Sequence, residues 1–317
     1  MSNVSDAGVS RAKASIDSLT AADAPPRSVF VTAPDGLRLH VRDYGSRSAA
    51  ALPVVCLAGL SRNSADFHEL ASALATDPTT PRRVLALDYR GRGLSDYDPD
   101  PENYTTATEL ADVVAALTAL EVGRAVFIGT SRGGIITMLM AAARPAFVAG
   151  AVLNDIGPAI EAKGLLRIKG YVGKLPQPRN WSEAADILRR IFNTQFPNHG
   201  DADWQQAARL TWREQNGQWI LNYDPKLATT LDAIDIDAPL PALWPQFDAL
   251  ARAPLLVIRG GLSDLLSSDS LAAMRTRRPG MDVVEVADEG HPPSLTKREM
   301  IERIAGFLRS CDRAAHI

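Results

Sequence analysis

The chain has 317 residues, with 34 Lys and Arg against 37 Asp and Glu and a formal charge of −3. This near balance argues against nucleic acid as the main partner, because phosphate binding needs a concentrated basic face. A composition of 46% hydrophobic and 22% charged residues excludes global disorder, and the length suffices for one large domain with an insertion or for two small domains.

The segment from Met1 to about Arg27 is polar and rich in Ser and Ala. It has no apolar core of the signal-peptide kind and is expected to be a flexible N-terminal segment (1–27). The apolar stretches further on, such as Ala125–Ile128 and Leu255–Ile258, fall far short of the roughly 20 residues that span a bilayer, so no membrane association is expected. The two cysteines, Cys56 and Cys311, read as buried or idle thiols, with no disulfide and no cysteine-based metal site. These features together read as a cytoplasmic protein.

Ser28–Thr32 and Leu37–Tyr44 alternate around Asp35-Gly36, a hairpin signal. Short continuous apolar runs follow at Pro53–Leu57, Arg83–Leu87, Ala125–Ile128, Ala149–Leu153, Pro254–Ile258 and Val283–Val286. Such runs predict strands buried on both faces, hence a parallel sheet. Helical patterns separate them at Ser64–Ala75, Thr106–Leu120, Ser131–Ala143, Ser268–Arg275 and Leu295–Cys311. The alternation predicts an α/β fold, a mostly parallel doubly wound sheet of about eight strands. The core would comprise residues 28–157 and 252–317.

From Pro158 to about Ala251 the alternation stops. Amphipathic helices are predicted at Glu161–Val172, Trp181–Phe192, Asp203–Gln215, Lys226–Ile234 and Pro241–Leu250. All five tryptophans (Trp181, Trp204, Trp212, Trp219 and Trp244) lie here. So aromatic an insertion must bury a face on something, and it is expected to form a helical cap (158–251) after strand six, with Trp212, Trp219 or Trp244 governing which acyl chain fits.

Gly129-Thr130-Ser131-Arg132-Gly133 lies directly between a predicted strand and a predicted helix. G-x-S-x-G in that setting is a nucleophile elbow. Ser131 must sit on a sharp turn, and side chains two residues to either side would collide, so glycine is needed there. The N-terminus of the following helix favours negative charge developing nearby. A serine hydroxyl needs a base. Of the five histidines, His40 falls in the hairpin, His68 in the first helix, His199 in a turn of the insertion and His316 in the tail. Only His291 follows a sheet strand, through Ala287-Asp288-Glu289-Gly290, which places it on the carboxyl edge of the sheet. The base in turn needs a carboxylate. Asp264 follows Pro254–Ile258 and gives the chain order Ser131, Asp264, His291; Asp155, after Ala149–Leu153, is the rival. Asp269, Asp288 and Glu289 read as solvated. An oxyanion would be bound by two main-chain N–H groups, one from Arg132 and one from Leu60 in the loop Ala58-Gly59-Leu60-Ser61-Arg62.

The Gly129–Gly133 elbow, Asp264, His291 and the loop Asp88-Tyr89-Arg90-Gly91-Arg92-Gly93-Leu94-Ser95-Asp96 resemble the α/β-hydrolase fold superfamily over about Ser28 to Leu308. The nearest type is the capped serine esterase, C–C hydrolase and enol-lactonase group. The resemblance implies that Asp88, Arg90 and Gly93 form a buried network bracing the oxyanion turn. Ala58 stands where relatives often carry His before the oxyanion-loop glycine. Haloalkane dehalogenases and epoxide hydrolases of this kind carry Asp at the elbow, where this chain has Ser131. Meta-cleavage C–C hydrolases tend to carry Met after the nucleophile and Trp after the histidine, where this chain has Arg132 and Pro292-Pro293.

The resulting expectation is a serine hydrolase that cleaves small or medium carboxylic esters through an acyl-enzyme. Its partners would be a small-molecule ester and water, and no metal or organic cofactor is implied. A C–C or enol-lactone hydrolase of a small acid, with Arg62, Arg132 or Arg167 pairing the substrate carboxylate, is an alternative. A ligand receptor on the same fold, with slow hydrolysis, is another.

Overall fold

The computed structural model describes residues 25–232 and 240–315. Most of the N-terminal segment, the end of the helix expected over Lys226–Ile234, and His316 lie outside the described residues. Eight strands form one sheet in the order β1-β2-β4-β3-β5-β6-β9-β10. They are β1 (Arg27–Thr32), β2 (Arg38–Tyr44), β3 (Val54–Leu57), β4 (Val84–Leu87), β5 (Ala125–Thr130), β6 (Val148–Asn154), β9 (Leu255–Gly260) and β10 (Asp282–Val286). The hairpin β1–β2 turns at Asp35-Gly36, and β2 is also antiparallel to β4. The other pairings are parallel. After β3 the chain builds β4 on one side and β5 on the other. The carboxyl ends of β3 and β5 therefore flank a topological switch point, where open α/β sheets bind ligands.

The continuous apolar runs of β3, β4, β5, β6 and β9 are buried on both faces because helices cover both, whereas Val283–Val286 in edge strand β10 is only half-buried, against expectation. Val55, Leu57, Leu85, Phe127, Leu153 and Val257 share one core with α2 (Thr106–Ala119), α3 (Arg132–Ala143) and α9 (Ser268–Arg277). Alternate residues of the same strands, Val54, Cys56, Ala86, Val126, Val152 and Leu256, share the other with α1 (His68–Ala75) and α10 (Arg298–Ala315). This is the period-two split of a sheet packed on both sides. Cys56 and Cys311 are free and buried in the second core, and burial pushes the Cys311 thiol up to about 12. Among the described residues, no helix is long and apolar enough to cross a membrane.

Between β6 and β9 lie α4 (Ala162–Tyr171), α5 (Trp181–Phe192), α6 (Asp201–Thr211), the short α7 (Thr229–Asp232) and α8 (Trp244–Asp248). The helix expected over Asp203–Gln215 stops at Thr211. The chain then forms a hairpin, β7 (Trp212–Gln215) and β8 (Gln218–Leu221), through Asn216-Gly217. Asn216 and Gly217 both have positive φ, 53° and 74°, the geometry an Asn-Gly hairpin turn requires. The dipeptide was the readable signal, and the amphipathic pattern running into it from α6 masked it. Ala184, Ile187, Leu188, Trp204, Ala208 and Trp212 form a core of the insertion's own. Ile168, Val172, Tyr223, Leu227, Phe247 and Leu250 instead join the main core over the sheet.

Candidate active site

Ser131 follows β5 at the N-terminus of α3, with φ 52° and ψ −115°. This left-handed conformation is costly for a non-glycine residue and is held by its neighbours. A Cβ on Gly129 would lie 2.4 Å from the Gly133 carbonyl, and one on Gly133 would lie 2.0 Å from the Leu57 carbonyl at the end of β3. Glycine at both positions lets the turn close on itself and against the neighbouring strand.

His291 stands where the sequence places it. Its Nε2 is 2.9 Å from Ser131 Oγ and its Nδ1 is 2.8 Å from Asp155 Oδ2. The carboxylate beside the histidine is therefore Asp155 and not Asp264. Asp155 directly follows β6, the strand next to the one that leads into Ser131, and it too is left-handed, with φ 54°. Its side chain is fully buried; Oδ1 accepts from Gly260 N at 2.8 Å and Oδ2 accepts from Ser263 Oγ at 2.6 Å.

The loop after β9 was expected to supply the acid, and it supplies that acid's support. Its first residues are pressed against the histidine loop, where Cβ atoms on Gly260 and Gly261 would lie 2.4 Å and 2.5 Å from the carbonyls of Gly290 and Ala287. Within this constrained turn Ser263 meets Asp155. Asp264 is taken in both oxygens by Arg167 of α4, at 2.7 and 2.8 Å. Burial acts to raise the Asp264 pKa, but the Arg167 hydrogen bonds and charge outweigh it and hold the carboxyl below its usual value. No motif in the sequence marks Ser263, because its role is a single side-chain hydrogen bond to Asp155, a residue distant in sequence.

Gly59 lies beside Ser131, such that a Cβ there would sit 3.7 Å from Ser131 Cβ. The N–H of Leu60 donates to no group among the described residues, and that of Arg132, in the first turn of α3, is free by helix geometry. The loop Asp88–Asp96 braces this turn as expected, but the contact comes from Arg92. Arg92 Nε donates to the Leu60 carbonyl at 2.8 Å, and its Nη2 pairs at 2.7 Å with Glu109, which also pairs with Arg132. Burial acts to raise the Glu109 pKa, but the two arginines hold the carboxyl below its usual value. Asp88 Oδ1 accepts from Ser64 N at 2.6 Å, just beyond the Leu60 turn, and Arg90 is clamped by Asp112, Asp98 and Asp35. Glu289, read as solvated, is buried; it accepts from Ser294 N at 2.6 Å and pairs with Lys297.

Ser131 and His291 open into a cavity of about 290 Å³. Leu60 and Phe67 line it from the core, and Leu188, Phe192, Phe196 and Trp204 from the insertion. Trp204 is the tryptophan on this wall. Trp212 is buried in the insertion's core, Trp219 packs edge-on against Trp181 at 4.4 Å, and Trp244 packs on the main core, so the three expected to line a pocket are not on this wall.

A second Ser–His–Asp string has similar distances: Ser28 Oγ to His40 Nε2 is 2.8 Å and His40 Nδ1 to Asp88 Oδ2 is 2.7 Å. Ser28, however, is exposed on edge strand β1, outside the cavity and away from any helix N-terminus, and Asp88 also holds Ser64 N and Leu94 N. The string at Ser131 differs in having a cavity and main-chain donors around it.

A doubly wound sheet with a serine at a strained strand-to-helix turn, backed by a histidine–carboxylate pair, defines a hydrolase-type site. Residues 54–304 match the alpha/beta hydrolase family, and the chain belongs to that family. It is 34% identical to a 3-hydroxybutyrate-oligomer hydrolase of Cupriavidus necator, over 86% of this chain and 94% of that one. It is 29% identical to an sn-1-specific diacylglycerol lipase of Danio rerio, over 81% of this chain and 78% of the other. A crystal structure of an alpha/beta hydrolase from Novosphingobium aromaticivorans superposes with a TM-score of 0.81 at 41% identity, covering 90% of this chain and 99% of that one. The protein is an enzyme, a hydrolase.

Proposed function

We propose that the enzyme cleaves carboxylic esters of small or medium organic substrates through an acyl-enzyme on Ser131. The observation that carries this reading is the Ser131–His291–Asp155 string at the wall of a largely apolar cavity. Ser131 Oγ attacks the carbonyl carbon while His291 Nε2 takes its proton. Asp155 fixes the imidazole tautomer and stabilises the imidazolium. The Leu60 and Arg132 N–H groups bind the oxyanion, and the N-terminus of α3 adds favourable potential. His291 then protonates the leaving alcohol. Water, deprotonated by the same imidazole, attacks the acyl-enzyme and regenerates Ser131.

The insertion acts as a cap that selects the acyl chain by apolar contact. Each of the three arginines considered for a substrate carboxylate already has a carboxylate partner: Arg62 holds Asp66, Arg132 holds Glu109 and Arg167 holds Asp264. That pairing favours esters over the small-acid C–C or enol-lactone reading. The test is a panel of p-nitrophenyl esters of rising chain length, run beside a 3-hydroxybutyrate dimer and a vinylogous 1,5-diketone acid. Ester turnover well above diketone turnover is expected, and the reverse order would overturn the reading.

The cap wall also predicts a fluorescence signal. With Trp204 on the cavity wall, a phosphonate adduct at Ser131 is expected to change tryptophan emission, and Trp204→Phe is expected to remove most of that change. Constant emission on fully labelled wild-type protein would contradict the placement of this wall over the acyl site.

A further inference from the structure

The loop between α5 and α6, residues 193–200, reaches from the insertion to the main chain of the histidine loop. Gln195 is buried at its centre, with its N–H donating to Phe192 O at 2.9 Å at the end of α5. Its carbonyl accepts from Gly290 N at 2.7 Å, its side-chain Oε1 accepts from His291 N at 2.9 Å, and its Nε2 makes a longer bond of 3.4 Å to Leu262 O. Two consecutive main-chain donors of the histidine loop are thus satisfied by one residue of the insertion. The approach is so close that a Cβ on Gly290 would lie 2.1 Å from Gln195 Oε1.

The same loop forms part of the cavity wall. Phe196, the next residue, lines the cavity and stacks on His199 at 4.7 Å and 7°, and His199 meets Trp204 edge-on at 5.2 Å. A group that fills the cavity against Phe196 therefore presses on the residue adjoining the clamp. His291 is fixed at its ring by Asp155 and at its main chain by Gln195, and its 2.9 Å reach to Ser131 depends on both. Proton transfer is sensitive to placement, and a shift of about 1 Å can cost on the order of 10²-fold in rate.

We propose that Gln195 is a positioning residue that ties the proton-transfer geometry of His291 to the α5–α6 loop, so that occupancy of the cavity beside Phe196 governs kcat as well as KM. This rests on the serine-hydrolase reading above. Removing the side-chain acceptor leaves a buried His291 N–H unpaired and the histidine loop held only by the residue 195 carbonyl on Gly290 N, while the cavity-lining side chains stay in place.

The test is steady-state kinetics on the preferred p-nitrophenyl ester for Gln195→Met, Gln195→Glu and Ser131→Ala, with pH profiles. Gln195→Met, which keeps the bulk and loses the acceptor, is expected to lower kcat about 10–100-fold with KM changed far less. Gln195→Glu restores an acceptor. It is expected to recover most of kcat and to move the acidic limb of the profile to higher pH, because a carboxylate near the ring favours the imidazolium. The other charged groups around the histidine stay as they are: Asp155 on the ring, Asp264 paired with Arg167, and Glu289 paired with Lys297. The shift of that limb reports only the added charge; a mere filler of the loop would show neither the loss of kcat at nearly constant KM in Gln195→Met nor its recovery in Gln195→Glu. Should Gln195→Met not fold, Phe196→Leu is expected to change kcat across the ester series, and a change in KM alone would count against the proposal. Wild-type kcat and pH profile in folded Gln195→Met, with Ser131→Ala inactive, would overturn the clamp alone. Activity in Ser131→Ala would overturn the serine reading and the clamp together.

Discussion

Ser131→Ala is expected to abolish ester hydrolysis while leaving the fold intact. The hydroxyl is the only part of the side chain that the reaction uses, and alanine fits a position whose left-handed backbone is imposed by Gly129, Gly133 and the Leu57 carbonyl. In a serine hydrolase whose triad has been dissected, removing the nucleophile costs on the order of 10⁶ in kcat, or about 8 kcal/mol of transition-state stabilisation. The oxyanion donors survive the change, so a small residual rate is expected. Turnover above about a tenth of wild type in purified, folded Ser131→Ala would end the assignment.

Asp155→Asn and Asp264→Asn are expected to fail in different ways. Asn at 155 can donate to His291 Nδ1 instead of accepting from it, which turns the imidazole to the wrong tautomer and leaves the imidazolium unsupported. The comparable change in a dissected triad costs about 10⁴ in kcat. Asp264 holds Arg167 and does not hold His291, so its loss breaks a part-buried ion pair between the core and α4. That change is expected to lower stability by about 2 kcal/mol, visible as a lower Tm, with kcat within about tenfold of wild type. The pH dependence of this pair follows from the lowered Asp264 pKa. Its contribution is present above the carboxyl's unfolded value and is lost as pH falls through the folded value. A thermal-shift series and a kinetic series on the two variants separate the roles. An inactive Asp264→Asn beside an active Asp155→Asn would reverse them.

Most of the sheet was legible because its strands are short apolar runs between helices, and a run buried on both faces has few other readings. Ser131 and His291 were legible for a related reason: each stands at the carboxyl end of a strand, and topology alone brings those ends together. The acid was harder. Asp155 and Asp264 both follow strands on the same edge, and both give the chain order Ser, Asp, His, so neither the edge nor the order separates them. What decides between them is a set of backbone approaches between the β9 loop and the histidine loop, together with the capture of Asp264 by Arg167, a residue about 100 positions away in sequence. Neither leaves a local pattern. Arg92 and Gln195 were missed on the same grounds, since each acts by donating to or accepting from a main-chain group of a distant loop. In the insertion, the tryptophans announced a buried face but not which ring faces the cavity. That depends on how α5, α6 and β7 pack, since Trp204 and Trp212 join the same apolar core from a helix and a strand.

The central claim is that the hydroxyl held by His291 and Asp155 carries the acyl group. The most direct measurement is peptide mapping by mass spectrometry after stoichiometric reaction with an alkyl fluorophosphonate, run on wild type and on Ser131→Ala. The account predicts one phosphonate per chain on the peptide containing Ser131, loss of ester hydrolysis in proportion to labelling, and no label on Ser131→Ala. Label on the Ser28 peptide with activity lost in step, or full activity in a protein labelled completely at Ser131, would contradict it.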